Sequence, residues 1–200
     1  MIEPAVRRRL PKAEREQQLV DVAEAVFAAR GFREASMDEI ALRAGVTKPI
    51  LYDHFGSKEG LMAACIRRSG AALFKAIAAA VEEARGPAGV LAAGLTGFFD
   101  FIESHGQGWF TLIGESAVVG EAADALEAIR ADQATFVAQR LAVEFPQLRS
   151  EDLEVFAQAI IGACERVALW RRDRPDVCVA DATASLMSLV WGGLAALAGD

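Results

Sequence analysis

VTKPILYDHFGSKEGL, residues 46–61, strings small and flat polar side chains between a few apolar ones in a chain of 200 residues whose formal charge is −7. Thr47 suits an N-cap, and Pro49 falls in a first helical turn, where its missing N–H costs nothing. A short helix is therefore expected to about His54. Gly56 interrupts it, Ser57 can cap again, and Glu59 suits the positive end of a second, longer helix. That helix carries Leu73, Phe74, Ile77 and Val81 and runs to about Ala84, before Gly86-Pro87 closes it.

Upstream, Ser36 with Glu39 three residues on reads as a capping box, Ile40, Ala41 and Ala44 as an inner face, and Gly45 as a stop. Before that, Leu19, Val22, Ala23, Val26 and Phe27 recur at helical spacing from about Lys12 to Arg30, with Gly31 in a C′ position. Two short helices joined by a turn holding Gly45 make a helix-turn-helix candidate. In such a unit the second helix enters the major groove of DNA. Ile40, Val46, Leu51 and Phe55 would anchor it, and the polar residues between them would face the duplex.

The rest of the chain reads as helices over about 88–104, 108–116, 121–144, 151–172 and 177–198, separated by HGQ, AVVG, FPQLRS and RDRPD, with Ser150 as a further cap. No segment alternates with period two. An all-α protein of about nine helices is expected, in keeping with a composition rich in Ala and Leu and sparse in Pro.

Charge is divided unevenly. Residues 1–60 hold ten Lys or Arg against ten acids, whereas residues 61–200 hold eleven against eighteen. Only the N-terminal part is therefore suited to approach a polyanion. Cys65, Cys164 and Cys178 are far apart and in no CxxC pair, so neither a disulfide framework nor a zinc site is indicated, and a reducing cytoplasmic setting is expected. The first residues, MIEPAVRRRLPKAEREQQ, lack the apolar run of a secretory signal. Residues 182–199 form an uncharged run at the lower length limit of a spanning helix, but Thr183, Ser185, Ser188 and Gly192-Gly193 and the flanking Asp181 and Asp200 favour a helix buried against protein, with no membrane partner.

Residues 15–61 resemble the DNA-binding domain of the TetR (tetracycline repressor) family of bacterial transcriptional regulators. AEAVFAARGF and SMDEIALRAGVTKPILYDHFGSKEGL carry the resemblance, because the Gly-Val turn, the Leu-Tyr-x-His-Phe run and the following Ser-Lys-Glu occur together. The resemblance implies two domains: residues 1–58, a helix-turn-helix domain with a basic arm, and residues 59–200, a helical effector-binding and dimerisation domain. Position by position it implies Lys48 and Pro49 at base edges, Tyr52 and His54 at phosphates and groove, Lys58 at backbone phosphate, and Ser36 and Thr47 near phosphates, where both hydroxyls also suit caps. Lys can donate to guanine and Pro can touch a thymine methyl. Asp38 and Asp53 sit poorly on such a surface. Arg8 and Arg9, in RRRLPK, resemble the arms that some members lay in the minor groove; a solubilising tail is the alternative.

In the second half, Phe98, Phe101, Trp109 and Phe110 lie among small residues and can either line an apolar cavity or pack as core, with His105, Asp100, Glu103, Thr111 or Glu115 as polar anchors. Leu153, Phe156, Ile160, Cys164 and Val167 form one apolar stripe, and Leu186, Val190, Leu194 and Leu197 another. Paired with a second copy they would build a four-helix homodimer interface. The function implied is a ligand-responsive regulator, a repressor, that binds a palindromic operator on double-stranded DNA as a homodimer and senses a largely apolar small molecule. A helical enzyme has little support, since His54 sits on the reading helix, His105 lacks a sequence-local partner, and no phosphate-binding glycine loop is present. No cofactor or metal is expected. A membrane-associated structural helix bundle is the remaining alternative.

Overall fold

In the computed structural model the described residues are 11–114 and 119–198, without the side chains of 107, 108, 111–114, 197 and 198. Among them the chain forms eight helices and no strand: α1 Lys12–Glu34, α2 Met37–Ala44, α3 Lys48–Phe55, α4 Lys58–Glu82, α5 Gly86–Gly114, α6 Glu121–Glu144, α7 Ser150–Arg172 and α8 Val179–Ala198. Arg8, Arg9 and Glu115 lie outside the described residues, as do the side chains of Thr111 and Leu197.

The helix count differs from expectation at one place. HGQ does not divide α5, because Phe101 and Trp109 on either side of it are both buried and meet edge to face at 6.0 Å. Burial of two large rings outweighs the roughly 1 kcal/mol by which a glycine disfavours a helix interior. Gly31 does interrupt α1, with φ 75° and ψ 165°. Gly45 ends α2 in the left-handed region (φ 66°, ψ 32°), which a side chain would resist, and so sets the angle at which α3 leaves.

Caps follow the sequence in part. Ser36 Oγ accepts the Glu39 N–H at 3.1 Å and Ser57 Oγ accepts the Gly60 N–H at 2.8 Å. The reciprocal half of the capping box is not made, because the Glu39 carboxylate pairs with Arg43 at 2.7 Å and approaches Arg30 at 3.7 Å. Thr47 holds the N-cap position of α3 without a side-chain cap bond, and Ser150 is the first residue of α7, with Arg149 at its N-cap.

Two cores result. The first joins Leu19, Val26 and Phe27 of α1, Ile40 of α2 and Leu51 of α3 to Leu61 and Met62 of α4, and also takes in Ala122, Ala125 and Leu126 at the start of α6. The second joins Leu73 of α4 to Leu95, Phe98 and Phe99 of α5, Leu141 of α6, Ile160 of α7 and Leu186 and Leu194 of α8. Both α4 and α6 therefore belong to both cores. α8 is long and apolar enough to cross a membrane by length and composition: Val179–Ala196 has a mean hydropathy of 1.3, and only 17% of that window is buried within the chain.

Candidate nucleic-acid interface and sensor cavity

The outer face of the helix-turn-helix is built by subtraction. Leu51 turns into the core, with Ile50 and Phe55 packed against it, which leaves Thr47 at the N-cap and Lys48, Pro49, Tyr52 and Asp53 of α3 exposed. Ser36 at the N-cap of α2 and Leu42 within it are also exposed, Leu42 at 81%. Lys48 Nζ donates to Asp38 Oδ2 at 2.8 Å, linking α3 to the start of α2. That bond holds the Lys48 ammonium above its ordinary pKa, so it stays charged, and it also neutralises one of the two acids that sit poorly on this surface.

Two expected DNA-facing residues have internal partners. His54 is half-buried, with Nδ1 3.1 Å from Glu16 Oε1 of α1. Lys58 Nζ donates to the carbonyls of Ala35 at 2.8 Å and Arg33 at 3.2 Å, and lies 4.5 Å from the centre of the Phe32 ring. It therefore clamps the end of α1 to the start of α4. An ammonium has three N–H donors, so one remains for a phosphate. The sequence signalled neither partner, since Glu16 and the Arg33–Ala35 carbonyls are remote from α3 along the chain.

Below, α4, α5, α6 and α7 enclose a cavity of about 100 Å³. Of the five aromatic and histidine positions expected to line one, Phe98 does. Phe101, His105, Trp109 and Phe110 gather elsewhere: His105 stacks on Phe101 at 4.4 Å, Phe101 meets Trp109, and Arg172 of α7 lies 5.6 Å from Phe110. The walls come instead from Ile77 and Val81 of α4, Leu91 of α5, Phe136 and Val137 of α6, and Ile160 of α7. Gln133 and Arg140 of α6 also line it. The signal missed was the polar pair set at seven-residue spacing within the apolar stripe Phe136, Val137, Leu141. Cys164 lies at the same wall, its thiol pushed up to about 12 by burial.

The two C-terminal stripes face inward. Ile160, Leu186 and Leu194 are buried in the chain's own core, and Phe156, Val167 and Val190 pack half-buried against it. The outward faces carry Val155 on α7 (63% exposed) and Leu189 on α8 (75% exposed), with Gly162, Gly192 and Gly193 open to space. Among the described residues, no group of three His, Cys, Asp or Glu is placed to hold a metal ion.

Comparison with known proteins agrees with this architecture. A family model described as bacterial regulatory proteins of the tetR family matches residues 19–65, and one described as the tetracyclin repressor-like C-terminal domain matches residues 87–193. The chain is 35% identical over 189 residues to the HTH-type transcriptional activator FasR of Mycolicibacterium smegmatis, covering 93% of this chain and 85% of that one. A shorter match, 39% over 56 residues, joins it to the transcriptional repressor KstR2 of Rhodococcus jostii, 28% of each chain. Among solved structures, a TetR-like regulator from Rhodococcus sp. RHA1 superposes with a TM-score of 0.70 at 36% identity, covering 94% of this chain and 99% of that one. One from Streptomyces coelicolor gives 0.74 at 28%, covering 94% and 83%. The chain belongs to the TetR family of helix-turn-helix transcriptional regulators.

Proposed function

We propose that the protein works in the cytoplasm as a homodimer that sets two copies of α3 into successive major grooves of a palindromic operator, and that a small molecule in the α4–α7 cavity changes its affinity for that DNA. The observation that carries the reading is the double membership of α4 and α6: each helix is packed into the helix-turn-helix core at one end and lines the cavity at the other. A ligand that spreads the cavity wall must therefore press on the elements that hold α3. It acts only to the extent that it prefers one arrangement, and a near-complete switch needs a preference of about 5.5 kcal/mol.

In this reading Lys48, Pro49 and Tyr52 meet the groove, and Ser36, Thr47 and the third N–H of Lys58 meet phosphate. His54, tied to Glu16, sets the pitch of the helix. Arg8 and Arg9 would extend the contact into the minor groove. Dimerisation would cover the outward faces of α7 and α8, where Leu189 and Val155 are apolar and the glycines allow close backbone approach, with half-buried Phe156, Val167 and Val190 at the seam. That arrangement also accounts for an apolar α8 without a membrane. Repression follows where the operator overlaps a promoter. The M. smegmatis relative is named an activator, and an operator placed upstream of its promoter would give this protein that opposite sign.

Selection of tight-binding sequences from random duplexes, followed by footprinting, tests this. Two protected half-sites roughly 34–36 Å apart are expected. Binding without sequence preference, or protection that survives replacement of Lys48 and Tyr52 by Ala, overturns it.

A further inference from the structure

The cavity between α4, α5, α6 and α7 is apolar except along α6, where two donors, Gln133 and Arg140, and one carboxylate, Glu144, line it. Gln133 is only 9% exposed, and its Nε2 is buried without a hydrogen-bond partner. Arg140 Nε is likewise buried and unpartnered. Both side chains line the cavity. Seven residues apart on one helix, they share a face two turns apart, roughly 10 Å along the axis. Buried donors are almost always paired in folded proteins, so two unpaired donors on one cavity wall mark a place for acceptors that the chain itself does not supply.

The charge narrows the acceptor. Arg140 carries a permanent positive charge, and its buried Nε has no partner although Glu144 lines the same cavity one turn on. The remaining walls, among them Ile77, Val81, Phe98, Phe136 and Ile160, are hydrocarbon apart from the Cys164 thiol. A neutral hydrocarbon would leave both donors unsatisfied, and an amine would oppose the guanidinium. Size narrows the body: the cavity, about 100 Å³, is smaller than one of roughly 150 Å³ that admits benzene, so the apolar part held inside it should be a short chain or a single ring.

We propose that this cavity binds a free apolar carboxylic acid with a short aliphatic or single-ring body, its carboxylate oxygens accepting from Arg140 and Gln133. The proposal rests on the sensor reading above and gives it a ligand class. Arg140 selects the anion and Gln133 adds an uncharged hydrogen bond, so the two contributions separate experimentally.

Calorimetric titration of the full-length protein with hexanoate, hexan-1-ol, hexylammonium and the neutral hexanoyl thioester of N-acetylcysteamine tests it. Hexanoate should bind tightest and hexylammonium not at all. Arg140→Met should weaken hexanoate at least about tenfold while leaving hexan-1-ol unchanged, Arg140→Lys should retain part of the affinity, and Gln133→Leu should weaken both hexanoate and hexan-1-ol. Circular dichroism and operator binding without ligand confirm that each variant is folded. Hexanoate that binds no better than hexylammonium, or as well to Arg140→Met and Gln133→Leu as to the parent, overturns the proposal, as does a thioester that outcompetes the free acid. Operator affinity measured in parallel keeps the two ideas apart. Hexanoate that binds but leaves operator affinity unchanged supports the ligand class and removes the switch. Operator release only by compounds lacking an acid group removes the ligand class and leaves the switch.

Discussion

Gly70 of α4 and Ile129 of α6 approach so closely that a β-carbon at position 70 would stand 2.3 Å from Ile129 Cδ1 and 2.8 Å from Cγ1. This contact lies between the helix-turn-helix core and the cavity, on the two helices that serve both. Gly70→Ala should therefore lower stability by about 1–3 kcal/mol, the range for overpacking a filled site. Adding Ile129→Ala should recover much of that loss. Thermal unfolding of the two single variants and the double variant checks this, and strictly additive losses would show that the two side chains do not meet.

Asp38 holds the Lys48 ammonium that, in the proposed complex, DNA would also draw on. Releasing Lys48 from Asp38 and removing a carboxylate from the proposed DNA-facing surface should both favour the complex, so Asp38→Asn is expected to tighten operator binding several-fold with little change in stability, as for other exposed pairs. Fluorescence anisotropy with a labelled duplex at several salt concentrations reads the effect. Weaker binding by the variant would mean that Asp38 positions Lys48 for the groove.

Lys58 is expected to have two measurable roles. Lys58→Met removes the clamp on the Ala35 and Arg33 carbonyls and should cost about 1 kcal/mol of stability. If its third donor also reaches phosphate, the slope of log affinity against log salt should fall by about one. A stability loss with an unchanged slope would confine Lys58 to the clamp.

The three thiols should differ sharply. Cys65 and Cys164 are buried and Cys178 is exposed. Burial pushes the Cys65 and Cys164 pKa values up, Cys164 to about 12, so both remain protonated in the fold. A thiol reagent at neutral pH should modify Cys178 quickly and the other two only after denaturant is added. In the unfolded chain these thiols ionise near their ordinary value of about 8.5, so stability that is intact below it should decline as pH rises from there toward the folded values. Alkaline unfolding curves of Cys164→Ala should be flatter than those of the parent.

Leu189 is the most exposed large apolar side chain described on α8. Leu189→Arg should convert a dimer to a monomer in light scattering and weaken operator binding by at least about a hundredfold through loss of the second reading head. Unchanged mass with intact binding would place the dimer interface elsewhere.

Much of this fold is legible in the residues themselves. The caps at Ser36 and Ser57, the stop at Gly45 and the inward Ile40 and Leu51 are local chemistry, so the helix-turn-helix and the outward Lys48, Pro49 and Tyr52 follow from sequence alone. The apolar stripes of α7 and α8 are likewise present as stripes. What they face was decided by packing: Ile160, Leu186 and Leu194 are equally apolar whether they meet their own chain or another, and periodicity carries no information about which. The same reason displaced the cavity. Phe101 and Trp109 have the character of lining residues beside glycines, but they fill each other's space, and the walls come from helices far apart along the chain. The internal partners of His54 and Lys58, the unpartnered donors of Gln133 and Arg140 on the cavity wall, and the close pass of Gly70 against Ile129 exist only once α1, α3, α4 and α6 are brought together, because each depends on distances that sequence spacing does not fix.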